Sequence, residues 1–166
     1  MFKKMDSRSE EYREPDEELG RERRAPTTLF VKLLHADAKI PTKKNDSDAA
    51  YDISSIEDVV IEPGAMKIIS TGLSFTAPRN SYGQIAPRSG LSMKGLFINA
   101  GVIDRGYTGE VKVVAFNFGN EALELPKRSR IAQVIFKKIY SPIVQVVDDL
   151  TNVGSRADSG FGSSGL

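Results

Sequence analysis

Residues 110–119 read EVKVVAFNFG, and this stretch decides the fold class. β-Branched and aromatic side chains dominate it, as they do in strands. Successive side chains of an extended chain point to opposite faces. Val111, Val113, Ala115 and Asn117 therefore share one face, and Val114, Phe116 and Phe118 share the other. Both faces are largely apolar, the pattern of a strand in the middle of a sandwich or at a subunit contact.

The same texture extends outward in both directions. TLFVKLL (28–34), DVVIEPG (58–64), MKIIS (66–70), LSFTAP (73–78), YGQIAP (82–87) and RIAQVIFKKIY (130–140) are short runs of the same kind. Gly, Pro, Asn and Asp cut them at intervals of about ten residues, as in sandwiches and barrels. Only SGLSMKG (89–95) has a helical pattern, enough for one or two turns. The sequence thus predicts an all-β fold, a jelly-roll-like β-sandwich or barrel of Greek-key type with one short helix. No internal repeat is evident.

Composition narrows the function classes. With 166 residues the chain has the length of about one domain, and 40% hydrophobic residues suffice for a modest core. The net charge is +1, so no global field directs the chain to nucleic acid or to an anionic membrane. Cysteine is absent and His35 is the only histidine, which excludes thiolate sites and disfavours zinc. No apolar run is long enough to span a bilayer and no signal-peptide core is present. The expectation is a soluble protein of the cytoplasm, the nucleus or both.

Three segments are expected. Residues 1–28 crowd charges of both signs with few apolar groups, a composition that cannot bury enough surface to order itself. Within this arm RERR (21–24) reads as a solvated basic cluster or a nuclear signal. Residues 29–150 form the β domain. Residues 151–166 are a Gly/Ser-rich tail of flexible composition, yet they carry Arg156 and Phe161, side chains for which a passive linker has no use.

Several stretches hold residues able to do chemistry, each with a structural reading as well. GVIDRGYTGEV (101–111) reads as a hairpin turn with Asp104 at its usual place and glycines supplying positive φ. Asp52 in AAYDISS (49–55) sits at a strand end. PRSGLS (87–92) is a loop opening a short helix, with Ser89 as the expected N-cap. RIAQVIF (130–136) places Arg130 and Gln133 on an apolar strand, where a polar side chain usually finds a backbone partner.

Taken together with RADSGFGSSG (156–165), these stretches in this order closely resemble the five motifs of the trimeric dUTP diphosphatases, the dUTPases. The resemblance runs from about Val31 to Leu166. It implies hydrolysis of dUTP to dUMP and diphosphate by Mg²⁺-assisted attack of water on the α-phosphorus. Such an activity would limit uracil incorporation into DNA and supply dUMP for dTMP synthesis. By motif match Asp104 is the implied base, and Asp52 is the implied holder of Mg²⁺ through its water shell. Ser89 and Gly90 would donate to the phosphates, and Arg88 and Gln133 would donate there too or hold neighbouring groups in place. Arg156 would meet the γ-phosphate with its planar guanidinium.

The hairpin LFINAGVID (96–104) would read the uracil edge through Asn99, Gly101 and Val102. The Tyr107 ring would pack under the deoxyribose and clash with a ribose 2′-hydroxyl. In the tail, Phe161 would stack on uracil while Gly162, Ser163 and Ser164 close over the nucleotide.

The resemblance also implies a homotrimer with sites at subunit boundaries. One chain would supply the first, second and fourth motifs, another the third, and another the tail. Departures from the family pattern are Ala50 where Gly is common, and Ala157, Asp158 and Ser159 in a tail where Arg-Gly-x-Gly-Gly is common. Two other readings share most of these residues. One is a dCTP deaminase-like enzyme of the same fold, against which the third-motif Tyr and the Phe-bearing tail argue. The other is a dUTP-sensing regulatory protein, in which the charged arm would contact a protein partner. Neither nucleic acid nor membrane is an expected partner.

Overall fold

The computed structural model describes residues 27–147, so the charged arm up to residue 26 and the tail from residue 148 lie outside the described residues. The elements are β1 (Phe30–Leu33), β2 (Tyr51–Ser54), β3 (Val59–Ile61), β4 (Met66–Thr76), β5 (Ser81–Ala86), α1 (Ser89–Ser92), β6 (Leu96–Asn99), β7 (Val102–Ile103), β8 (Val111–Asn117), β9 (Leu123–Leu125) and β10 (Arg130–Lys138). They form two four-stranded sheets, β1-β4-β8-β6 and β2-β10-β5-β7, and a two-stranded pair, β3-β9. All pairings are antiparallel. The all-β expectation with one short helix holds.

The core lies between the two large sheets. Leu73, Phe75, Val111, Val113 and Ala115 from one sheet belong to the same buried cluster as Ile53, Ile85, Ile131 and Val134 from the other. Phe75 on β4 meets Phe136 on β10 edge-on, with centroids 5.6 Å apart. Each fully buried Leu, Ile, Val or Phe contributes about 1.5–3 kcal/mol relative to exposure, and this cluster supplies the sandwich's cohesion. Asn117 is the polar exception on the buried face of β8. Its Nδ2 donates to the carbonyls of Ile61 and Glu121, both at 2.8 Å, and its Oδ1 accepts from Gly119 N at 2.8 Å. The amide thereby ties the β3-β9 pair to the end of β8.

Two local expectations need correction. MKIIS and LSFTAP are not separate strands but the two halves of β4, whose register against β8 slips between Ser70 and Leu73. The slip leaves Thr71 and Gly72 as a bulge, which is why the sequence looks interrupted there. Ser89 is not the N-cap of α1. Arg88 occupies that position with extended backbone, makes no side-chain capping bond, and accepts the N–H groups of Leu91 and Ser92 at its carbonyl.

The second face of β8 lies on the outside of its sheet. Val114 and Phe116 are half-buried, whereas Phe118 is 68% exposed and Phe97, Met66 and Ile68 are also exposed. Register places Phe97 and Met66 opposite Phe116, and Ile68 opposite Val114. The rings of Phe116 and Phe118 lie 4.2 Å apart, so the patch is contiguous.

Candidate active site

Asp52 is the hub of one cleft. It sits on β2, an edge strand of its sheet, directly opposite Gln133 on β10. Arg88 Nε donates to Asp52 Oδ1 at 2.9 Å, and Arg130 Nη1 donates to Asp52 Oδ2 at 2.9 Å. Arg88 Nη1 also donates to the Arg130 carbonyl at 3.0 Å, and Gln133 Nε2 donates to the Pro87 carbonyl at 2.7 Å. These bonds fasten the turn Pro87–Gly90 to the end of β10 from both sides. Two guanidiniums share one carboxylate, so the cluster keeps a net positive charge.

The cleft around this cluster measures about 740 Å³ and is lined by Asp52, Arg88, Ser89, Gly90, Arg130 and Gln133, with Lys44, Lys94 and Asp48 at its margins. Ser89 and Gly90 open α1, where backbone N–H groups precede the first intrahelical bond and have no intrahelical partner. A Cβ on Gly90 would meet nothing within 4 Å, so a ligand can approach this backbone closely. The backbone N–H of Asn45 holds the Asp48 carboxyl below its ordinary range, so Asp48 stays ionised at the rim.

A second cleft, of about 600 Å³, is lined by Val102, Ile103, Asp104, Tyr107, Glu110 and Lys112. Its loop is braced at each end. The Gly101 carbonyl accepts from Ile85 N at 2.7 Å, and β7 pairs with β5 through Val102 and Ile103. Tyr107 N donates to the Asp104 carbonyl at 3.0 Å, and the Tyr107 hydroxyl donates to the Glu110 carbonyl at 2.9 Å. Asn99 spends its side-chain oxygen locally, accepting Ala100 N at 2.8 Å where Ala100 adopts φ +47°. Gly101 is needed for close approach, since a Cβ there would lie 2.5 Å from the Ile85 carbonyl oxygen.

The two clefts share no lining residue. β2, bearing Asp52, and β7, leading to Asp104, are opposite edges of the sheet β2-β10-β5-β7. Three inter-strand spacings put about 14 Å between them. One chain therefore gathers Asp52, Arg88, Ser89, Gly90 and Gln133 in one place and Val102, Asp104 and Tyr107 in another, with Asn99 and Gly101 at the hairpin turn beside the latter. Arg156, Phe161, Gly162, Ser163 and Ser164 lie outside the described residues. Arg130 is the residue that motif reading undervalued: its side chain reaches a carboxylate, not merely a backbone group. The signal available was a guanidinium three positions before Gln133 on a strand that faces Asp52.

Among the described residues no group of three or more His, Cys, Asp or Glu side chains could cage a metal ion. Each Asp52 oxygen accepts one guanidinium bond and retains lone-pair capacity. That donor set does not fit a protein-caged ion, but it fits a hard cation that keeps its waters and arrives with phosphates. Among the described residues no helix is long and apolar enough to cross a membrane.

Comparison with known proteins identifies the family. The dUTPase family profile matches residues 36–165. The deoxyuridine 5′-triphosphate nucleotidohydrolase of Saccharomyces cerevisiae is 44% identical over 138 residues, 82% of this chain and 94% of the yeast protein. That of vaccinia virus (strain Copenhagen) is 43% identical over 137 residues, 82% of this chain and 92% of its own. The structure of the Staphylococcus bacteriophage 80alpha dUTPase with dUPNHPP aligns with TM-score 0.78 at 32% identity, covering 84% of this chain and 99% of that one. A variant of the dUTPase from phage phi11 of S. aureus, described as revealing the coordination of a structural Mg(II) ion, aligns with TM-score 0.70 at 28% identity over 74% of this chain and 97% of its own.

Proposed function

The chain belongs to the dUTPase family and is a dUTP nucleotidohydrolase, and from that premise we propose how its residues divide the work. The observation that carries the assignment is the Pro87–Gly90 turn, pinned by Asp52, Arg130 and Gln133 in a cationic cleft with free backbone donors. Such a cleft suits a triphosphate. The Ser89 hydroxyl and the N–H groups of Ser89 and Gly90 donate to phosphate oxygens, and Arg88, held by Asp52, supplies positive charge. Asp52, through its remaining lone pairs, and the phosphates would hold a hydrated Mg²⁺, which when bound neutralises phosphate charge as the diphosphate leaves.

Asp104 orients the attacking water and takes its proton, so that hydroxide forms a bond to the α-phosphorus while the bond to the diphosphate oxygen breaks. Tyr107 lies under the deoxyribose. Asn99, Gly101 and Val102 at the hairpin meet the uracil edge, whose acceptor pattern differs from that of cytosine. From the tail, Arg156 meets the γ-phosphate, Phe161 stacks on the base, and Gly162, Ser163 and Ser164 close the lid.

Asp52 and Asp104 belong to clefts that share no lining residue, at opposite edges of one sheet about 14 Å wide, which supports a site completed by another copy. On this proposal the complete site is shared between copies of the chain, and the family resemblance supplies their number, a homotrimer. The exposed apolar patch of Phe97, Phe116 and Phe118 supports such contacts. So does the extended segment after β10, where Tyr140 is 97% exposed and Ile143, Val144 and Val146 are nearly as open.

The test is diphosphate release from dUTP, with dTTP, dCTP and UTP as controls, with and without a chelator, on the wild type and Asp104→Asn, alongside sedimentation mass. Selective, Mg²⁺-dependent turnover lost in the variant, from a species of three chains, is the expected result. Ammonia release from dCTP would favour deaminase chemistry, and a catalytically competent monomer would sink the shared site.

A further inference from the structure

We infer that Glu110 is a positioning residue that sets the Tyr107 ring, and with it the discrimination between deoxyribose and ribose. The starting point is the bulge in β4. Because the β4–β8 register slips between Ser70 and Leu73, the N–H of Gly72 loses its ladder partner. The Glu110 carboxylate replaces that partner, Oε1 accepting from Gly72 N at 2.9 Å.

Gly72 is closely packed and tolerates no side chain. It holds φ +64°, and a Cβ there would meet His35 Cβ at 2.8 Å and Ala38 Cβ at 3.0 Å. Its carbonyl is also taken, by Leu34 N at 2.7 Å. The carboxylate is thus anchored to a backbone amide that is itself crowded and hydrogen-bonded at its carbonyl. The other oxygen, Oε2, faces Lys112 Nζ at 3.6 Å on an open surface, a contact of little weight.

The main chain of the same residue does the second half of the work. The Glu110 carbonyl is the acceptor for the Tyr107 hydroxyl. Glu110 is also the last residue before β8, so it is the C-terminal hinge of the loop that carries Asp104 and Tyr107. Side chain to bulge and carbonyl to phenol make one rigid bracket from β4 to the ring. Rejection of a 2′-hydroxyl by a ring that could slide away would be weak, because apolar packing alone discriminates poorly against an added hydroxyl. The bracket removes that freedom. The Ser74 hydroxyl, donating to the Thr108 carbonyl at 2.9 Å, braces the loop but not the ring.

This inference rests on the placement of Tyr107 beneath the sugar, and the experiment separates the two. kcat and KM for dUTP and for UTP are measured on the assembled wild type, Glu110→Ala, Glu110→Gln and Tyr107→Leu. Glu110→Ala should lower the dUTP/UTP ratio of kcat/KM roughly tenfold, chiefly by a gain in kcat/KM for UTP as the freed ring admits the 2′-hydroxyl. Glu110→Gln keeps an acceptor for Gly72 N and should restore the ratio to within about threefold. Should Glu110→Ala not fold, Glu110→Asp carries the same test, since its shorter side chain withdraws the acceptor from Gly72. A folded alanine or aspartate variant with the wild-type ratio overturns the inference, as does a glutamine variant no better than alanine. If Tyr107→Leu also leaves the ratio unchanged, the sugar-platform reading fails. If Tyr107→Leu collapses it and the Glu110 variants do not, only the role of Glu110 fails.

Discussion

Asp52→Asn is the substitution most sharply constrained by the geometry. In the wild type each carboxylate oxygen stands 2.9 Å from a guanidinium nitrogen. An amide keeps one acceptor and turns an NH₂ donor toward the other arginine, so one guanidinium loses its partner and the two cations lose the charge between them. Charge-assisted hydrogen bonds are worth about 1.5–3 kcal/mol. The Arg130 side chain is 54% exposed, which reduces its share to about 1 kcal/mol or less. Arg88, 27% exposed, retains more of its share. A combined loss of about 2 kcal/mol is roughly a thirtyfold fall in kcat/KM for dUTP, expressed mainly in KM because the turn that receives the phosphates is loosened. Arg130→Gln removes only the exposed contact and should cost about fivefold. Steady-state diphosphate release across a Mg²⁺ series is the assay. A half-saturating Mg²⁺ concentration raised in Asp52→Asn but not in Arg130→Gln would assign a metal role to the carboxylate's remaining lone pairs. An Asp52→Asn enzyme within threefold of wild type at saturating Mg²⁺ would mean that the Arg-Asp-Arg cluster does not position the turn.

Gly101→Ala should raise the Kd for a non-hydrolysable dUTP analogue at least tenfold with the protein still folded, since the added Cβ lies 2.5 Å from the Ile85 carbonyl oxygen and must push the hairpin off β5; isothermal titration reads this directly. Asn117→Leu should destabilise by about 2–4 kcal/mol in urea denaturation, because the buried carbonyl of Ile61 and the part-buried carbonyl of Glu121 and N–H of Gly119 lose their partners. Phe116→Glu places a charge on the apolar patch and should give a folded chain of lower sedimentation mass whose activity rises with protein concentration. The Asp37 carboxyl is held below its ordinary range by the hydrogen bond from Lys127 and by the charges of Lys127 and Arg128. A depressed folded value means that its contribution is complete above the unfolded carboxylate value and is lost as pH falls through the folded one. Asp37→Asn should therefore lower the neutral plateau of the thermal-midpoint profile and flatten its acid limb, the two profiles converging at low pH.

What the sequence disclosed follows from the range of the forces involved. Strand texture is local, so the runs of β1, β5, β8 and β10 are legible from β-branched and aromatic residues alone. The β4 bulge is not legible, because a slip in pairing is a relation between two strands and Thr71-Gly72 reads as punctuation. The N-cap of α1 went to Arg88 for a similar reason. Its extended backbone is set by the bonds that hold its guanidinium to Asp52 and to the Arg130 carbonyl, which outweigh the local capping preference of Ser89. Arg130 and Glu110 do their work through partners 78 and 38 positions away in sequence, distances at which no local pattern speaks.

The same contrast explains why the motifs are each weak and jointly strong. AAYDISS, PRSGLS and RIAQVIF lie far apart in the chain, yet β10 pairs with β2 on one side and β5 on the other, bringing Asp52, Gln133 and Ala86 into a single register row. Their common order in sequence thus encodes one cleft. GVIDRGYTGEV obeys a different constraint: β7 closes the far edge of that sheet, and nothing in the register can bring it round to Asp52. A loop with a strapped hairpin, a bracketed tyrosine and an exposed carboxylate is built to a stiffness that the chain's own cleft cannot use. That stiffness accords with the proposal that the loop faces the phosphate cleft of another copy. Under the proposed shared site, assembly would be the last step in forming it, and the apolar outer face of β8 would serve catalysis without touching substrate.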